Sequence, residues 1–223
     1  MSQDLVLGQI VDFGERGDVM IRAAVPSLDR AVTRKYSKVL IAFQDGRRTS
    51  PEQRAKAYAL IKEIADWVGD APAETKETMK LEFRIHRMEG MARKAFSLSD
   101  VDMNTATDFI TYLIDFIVEN DIPTSEPLYK FAEDIDKYVY ACIMNRKCCI
   151  CGKEAELHHC EGSRVGMGSN RTEVHHLGRW VFPLCRQHHT EIHYAPERKF
   201  WERYHINPIK ADKSICRKYR LKE

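Results

Sequence analysis

The sequence predicts an α+β protein: N-terminal strands lead into a helical region, and a small domain organised around Cys and His follows. Three observations predict this order. Apolar, partly alternating runs fill the first ~45 residues. From Ser50 to Asn145 the apolar residues recur at helical spacing. Ten Cys and His residues then crowd into "CCICGKEAELHHC" (148–160) and "LCRQHHTEIH" (184–193).

The strands come first. "LVLGQIVDF" and "DVMIRAAV" flank the Gly-rich turn "GERGD", and "SKVLIAF" forms a third run before the turn "QDGRR". Ser50-Pro51-Glu52-Gln53 is a strong helix start, with a Ser cap, Pro at the first helical position and Gln three residues after the cap. Ala57, Leu60, Ile61, Ile64, Ala65 and Val68 continue that helix, and Gly69 ends it. A second helix is expected from about Ala73 to Arg87, broken by "EGMARKAFSLSD". A third starts near Asn104 with Phe109, Tyr112, Leu113, Phe116 and Ile117 on one face, and Asp121-Ile122-Pro123 stops it. A fourth is expected from about Ser125 to Asn145, carrying Leu128, Phe131, Ile135, Tyr138, Val139 and Cys142. The organisation read from this pattern is a front domain over 1–125, a connecting helix over 126–145 and a final domain over 146–223.

At 223 residues the chain is long enough to bury a sizeable core. No stretch approaches ~20 consecutive apolar residues, which excludes a helical membrane span. The start "MSQDLVLGQI" has no basic region followed by an apolar block, so a reducing cytoplasmic setting is expected. Seven Cys is an odd number, and clustered Cys in such a compartment point to metal before disulfides. The net charge of +2 hides an asymmetry: residues 146–223 hold 16 Lys and Arg against 9 Asp and Glu. That third is the part expected to meet a polyanion, unless its excess is only a solvated surface.

Within the cluster, Cys148-x-x-Cys151-Gly152 is a knuckle, with Gly allowing the tight turn behind a metal. Cys185-x-x-His188 repeats the spacing. Together these four supply what a closed tetrahedral zinc site needs. Cys149 and Cys160 are possible substitutes, and Cys142 falls on an apolar helix face. Three His pairs remain: His158-His159, His175-His176 and His189-x-x-x-His193. On a helix, the last pair shares one face and can hold one metal.

The order "CxxCG", "HH", "LCxxHHxxxH" over about residues 146–195 resembles the His-Asn-His (HNH) nucleases, whose ββα-metal fold is a β-hairpin and a helix, often zinc-stapled. The resemblance implies a metal-dependent endonuclease. It puts His158, His189 and His193 on the metal-ligand positions of the catalytic site and His159 on the general base. The family's middle Asn, which orients the base, is missing from "EVHHLGRWVFP". His176 is the candidate substitute, with Asn170 as the alternative. An all-imidazole set favours Mn, Ni or Zn over Mg. Arg164, Arg171, Arg179 and Arg186 are candidates to hold a DNA backbone or are solvated charges. Trp201 and Tyr204 in the basic tail are expected to pack rather than to stack on bases.

Residues 1–120 offer no catalytic constellation. The stretch from Ser37 to Gly69, with the later "FSLSDVDMNTATDFITYLIDFIVENDIPT", resembles the NinB (Orf) recombination mediators of phages over about residues 36–124. That resemblance implies single-stranded DNA binding, contact with single-strand-binding protein and dimerisation. The Arg47-Arg48 turn is the DNA-facing candidate, or simply a charged turn. A front half of this kind joined to an HNH module is similar to nucleases of phages and prophages, acting on single-stranded or branched DNA in recombination or replication. The rival expectation is a non-catalytic, zinc-stabilised DNA-binding mediator.

Overall fold

A computed structural model describes residues 8–15, 17–24, 28–33, 35, 46–87, 96–163, 174–194 and 196–223. The expected third strand, "SKVLIAF", lies outside the described residues, as do Arg164, Asn170 and Arg171.

Strands β1 (Gly8–Phe13) and β2 (Val19–Ala23) form an antiparallel hairpin, its register shifted between Ile10 and Asp12. Ile10, Val11, Phe13 and Met20 stay exposed on it. A short helix, α1 (Leu28–Thr33), follows.

The helical layer is α2 (Pro51–Val68), α3 (Pro72–His86) and α4 (Met103–Glu119). The capping box read at Ser50 is present: Gln53 N donates to Ser50 Oγ at 3.0 Å, and Ser50 N donates to Gln53 Oε1 at 3.1 Å. Gly69 closes α2 in the left-handed region, φ 85°, which its missing Cβ permits. The Gln53 amide also reaches Thr107 Oγ1 at 3.0 Å, tying α2 to α4. Asp102 caps α4, accepting from Thr105 N at 2.9 Å. Phe109, Ile110, Leu113, Ile114 and Ile117 of α4 are fully buried against α2 and its neighbours.

The expected fourth helix is not continuous. A 3₁₀ turn, Leu128–Lys130, is followed by α5 (Ile135–Met144). Asp134 starts α5 afresh, its carboxylate accepting from Lys137 N at 3.1 Å. The apolar spacing survives the break, because Leu128, Phe131 and Ile135 still pack on the core that Tyr138, Val139 and Cys142 fill. Periodicity alone therefore reads through it.

From α5 the chain turns into the Cys cluster through Arg146, which sits at φ 54°. Tyr138 Oη donates to the Cys149 carbonyl at 2.8 Å, fixing the cluster on the helix. Strands β3 (Glu156–His159) and β4 (Trp180–Leu184) pair antiparallel, and α6 (Arg186–Glu191) follows. This is the expected ββα unit. The remainder is more ordered than the sequence suggested: α7 (Glu197–Tyr204), β5 (Ile209–Lys210) pairing with β4, and α8 (Lys213–Tyr219) against α5. One apolar core runs without a break from α2 and α4 through α5 to β4 and α8. Among the described residues no helix is long and apolar enough to cross a membrane.

Candidate metal centre

The ligand candidates lie on β3 and α6, in the knuckle before β3 and at the two ends of α6. Strand alternation sends His158 and His159 to opposite faces. His158 faces the interior, opposite Phe182, while His159 lies opposite Val181. Two groups of donors result.

The outer group is Cys148, Cys151, Cys185 and His188, whose ligand atoms lie within 4.8 Å of one another. Gly152, φ 70°, makes the turn behind the knuckle, and its N–H donates to the Cys148 carbonyl at 2.8 Å. Cys151 Sγ and Cys185 Sγ are 3.6 Å apart. His188 Nδ1 stands 3.4 Å from Cys148 Sγ and 3.3 Å from Cys185 Sγ. A tetrahedron built on usual zinc–sulfur and zinc–nitrogen bonds has edges of about 3.5–3.8 Å. The donor set therefore fits zinc in chemistry and in size. Burial pushes the Cys148 thiol up to about 12. Burial also opposes ionisation of Cys185, but hydrogen bonds from the His188 and Gln187 backbone and the neighbouring thiols outweigh it and lower that thiol. A bound cation would offset the burial that keeps the Cys148 thiol protonated.

The inner group is His158, His189 and His193, again within 4.8 Å. The ring centroids are 4.9 Å (158–189), 5.3 Å (158–193) and 5.2 Å (189–193) apart. His158 is buried and His193 is exposed, so the group opens to solvent on one side. Helix α6 itself ends at Glu191, before the second helix ligand. His193 N donates to the Thr190 carbonyl at 3.1 Å, and this tighter continuation keeps His193 beside His189. Burial drives the His158 imidazole down to about 4, helped by His189 and His193 and opposed by Glu197. Burial lowers His189 as well, with Glu156 opposing. Both imidazoles are therefore neutral near pH 7, the form that binds a metal. Three imidazoles with an open side suit a divalent transition metal that retains exchangeable positions.

His159 Nε2 lies 2.9 Å from His176 Nδ1. His176 is fully buried, its backbone N–H bound to the Lys222 carbonyl at 2.9 Å. The His expected to replace the middle Asn is thus in hydrogen-bond contact with the residue expected to be the base. Arg179 is in place beside this pair but is engaged, donating to the His175 carbonyl at 2.6 Å and the Ser163 carbonyl at 2.9 Å. Arg186 is exposed at the start of α6. Arg47 and Arg48 precede α2: the Arg47 carbonyl accepts from Met103 N at 2.9 Å, and Arg48 is bridged to Asp102 and pairs with Asp100 at 2.7 Å. Tyr204 packs on Phe200 and His188 and bonds Glu191, and Trp201 packs against the core.

One functional candidate escaped the sequence reading. Glu197, at the start of α7, is 3 % exposed and contacts His158. A carboxylate 39 residues from its partner carries no spacing signal, and only the Pro196-Glu197 helix start hinted that it had a fixed place.

The comparisons agree with this geometry. No curated protein and no solved structure matches the chain. A family model described as "Putative HNHc nuclease" matches residues 25–222, nearly the whole chain and all the ligand groups above. The chain therefore belongs to that HNH nuclease family.

Proposed function

We propose that this protein is a metal-dependent DNA endonuclease that hydrolyses phosphodiester bonds at the β3–β4–α6 site. The observations that carry the reading are the His158, His189 and His193 triad and the contact that the next strand residue, His159, makes with His176. His158, His189 and His193 would hold the catalytic divalent ion, and Cys148, Cys151, Cys185 and His188 would hold a structural zinc. A divalent ion at the triad supplies Lewis-acid stabilisation of the charge developing on the leaving 3′ oxygen. His159 takes a proton from the attacking water. In this reading the Nε2–H of His159 donates to His176 Nδ1, 2.9 Å away, and leaves Nδ1 of His159 to accept the proton. His176 fixes the ring orientation that the family's Asn would fix. Its burial and its backbone bond to Lys222 supply the rigidity this requires. Arg186 is the described cation best exposed to steady a phosphate, and Arg164 and Arg171 are the candidates in the strand-connecting loop. Arg179 contributes by tying the Ser163 carbonyl to the His175 carbonyl.

The front region, 1–125, directs the site to single-stranded or branched DNA in phage recombination or replication, alone or as a homodimer, and with single-strand-binding protein, in a bacterial cytoplasm. Its support is the NinB-like pattern over 36–124, with Arg47-Arg48 as its DNA-facing turn. The test is nicking of single-stranded, duplex and branched DNA with Mn²⁺ or Mg²⁺. His159→Ala should lower the rate by about 10²–10⁴-fold while the fold persists. Equal cutting by both proteins, or none with any metal, rejects the mechanism; binding without cutting would favour the non-catalytic mediator.

A further inference from the structure

His158 belongs to two clusters at once. It joins His189 and His193, and it also joins Cys160 and Glu197. The second cluster is entirely buried, and Glu197 is its anchor. Glu197 Oε1 lies 3.3 Å from His158 Nε2, and Glu197 Oε2 accepts from Glu161 N at 2.8 Å. The carboxylate is held on a rigid element. It opens α7, where the helix dipole favours a negative charge. One turn along, Phe200 packs edge-to-face on Phe182 with centroids 6.3 Å apart, and Phe182 is the cross-strand partner of His158. Helix α7 is thereby packed against the strand pair that presents the ligand.

From this arrangement we infer that Glu197 is the positioning residue of the inner metal site: it accepts the Nε2–H of His158 and so presents Nδ1 towards His189 and His193. The inference rests on the reading of the triad as a metal site. Ligating histidines commonly hand their second nitrogen to a carboxylate, which fixes tautomer and ring angle together. A carboxylate suits this place better than an amide. Glu161 N is a donor, and His158 Nε2 is a donor once Nδ1 is the ligand atom. Only a group with two acceptor oxygens satisfies both, and Gln would set its NH₂ against one of them. His189 repeats the design in weaker form. Its Nδ1 lies 3.3 Å from Glu156 Oε2, a carboxylate 64 % exposed, where water competes.

The test is calorimetric titration of Ni²⁺ into protein carrying one equivalent of zinc, with thermal unfolding measured alongside. Glu197→Gln should weaken Ni²⁺ binding about 10–100-fold. Glu156→Gln should change it less than about threefold, because solvent already screens that pair. Glu197→Asp, which keeps two acceptors, should recover part of the loss, and it carries the test if the Gln variant does not fold. Wild-type affinity in folded Glu197→Gln or Glu197→Asp overturns the inference. So does an equal loss in Cys160→Ser, which would put the ion among His158, Cys160 and Glu197. His189→Ala separates the two readings: if it loses the Ni²⁺ site while Glu197→Gln keeps it, only the role of Glu197 fails. If His189→Ala keeps the site, the triad reading itself fails.

Discussion

The two donor groups share α6 yet differ in closure. In the outer group, a thiol pair at 3.6 Å and thiol–imidazole pairs at 3.3 and 3.4 Å already have the edges of a filled tetrahedron. It has four donors, the number a closed tetrahedral site needs. The inner group has three imidazoles, one exposed, and the strand residue next to His158 is in contact with a further His. Adjacent residues on one short helix, His188 and His189, fall into different groups because successive side chains on a helix point about 100° apart. The lesson is that ligand number and openness, rather than residue type, separate a staple from a reactive centre.

Breaking the staple should have the largest effect. Cys185→Ser should leave the region from about 146 onwards unfolded at ambient temperature and should abolish any nicking, because structural zinc contributes folding free energy directly. Circular dichroism with and without zinc reads this. A folded, active Cys185→Ser protein would show that the outer cluster is an ordinary reduced core.

The inner pair sharpens the comparison at smaller scale. His176→Ala should lower cleavage by about 10–100-fold with little change in metal content, whereas His176→Asn should retain more activity than the Ala variant, since its amide can still engage His159. If Asn and Ala behave alike, His176 is a packing residue. Comparing the pH–rate profiles of the two variants separates lost orientation from lost proton transfer.

The smallest effect lies in the helical layer, outside both metal groups, and serves as their control. Burial, then Glu119, raises the Asp115 carboxyl to about 6, and its Oδ1 is buried without a hydrogen-bond partner. The folded state thus binds this proton more tightly than the unfolded state, whose value is near 3.8. The protonated form contributes its stability below about pH 4, and that contribution is lost as pH rises through about 6. Asp115→Asn should therefore stabilise by about 1–2 kcal/mol above pH 6, discounted for partial exposure, and by nothing near pH 3. Chemical denaturation at several pH values checks it. A constant difference across pH would assign the gain to something other than this carboxyl.

Much of this was legible because its signals are local. The Ser50–Gln53 capping box, the Gly69 stop and the buried face of α4 each lie within a few residues, where helix geometry fixes the outcome. The ligand spacings were equally local, since a knuckle and a one-turn His pair define their own geometry. The fourth helix misled because the 3₁₀ turn at Leu128–Lys130 keeps the apolar residues in phase, while the cap that restarts the helix, Asp134, is a single polar residue among many. Helix α7 and strand β5 were hidden by charge: Arg198, Lys199, Glu202 and Arg203 surround the Phe200 and Tyr204 that anchor α7. Glu197 was beyond reach, because its contact with His158 exists only once α7 packs on β4.

Two metals with two different purposes in this short region are what the proposed function requires. Metal content per folded chain is the decisive measurement, made on protein saturated with zinc and nickel and then freed of unbound ions. Wild type should hold two equivalents, and His189→Ala one with folding intact. One equivalent in both proteins, bound by the cysteines, would contradict it.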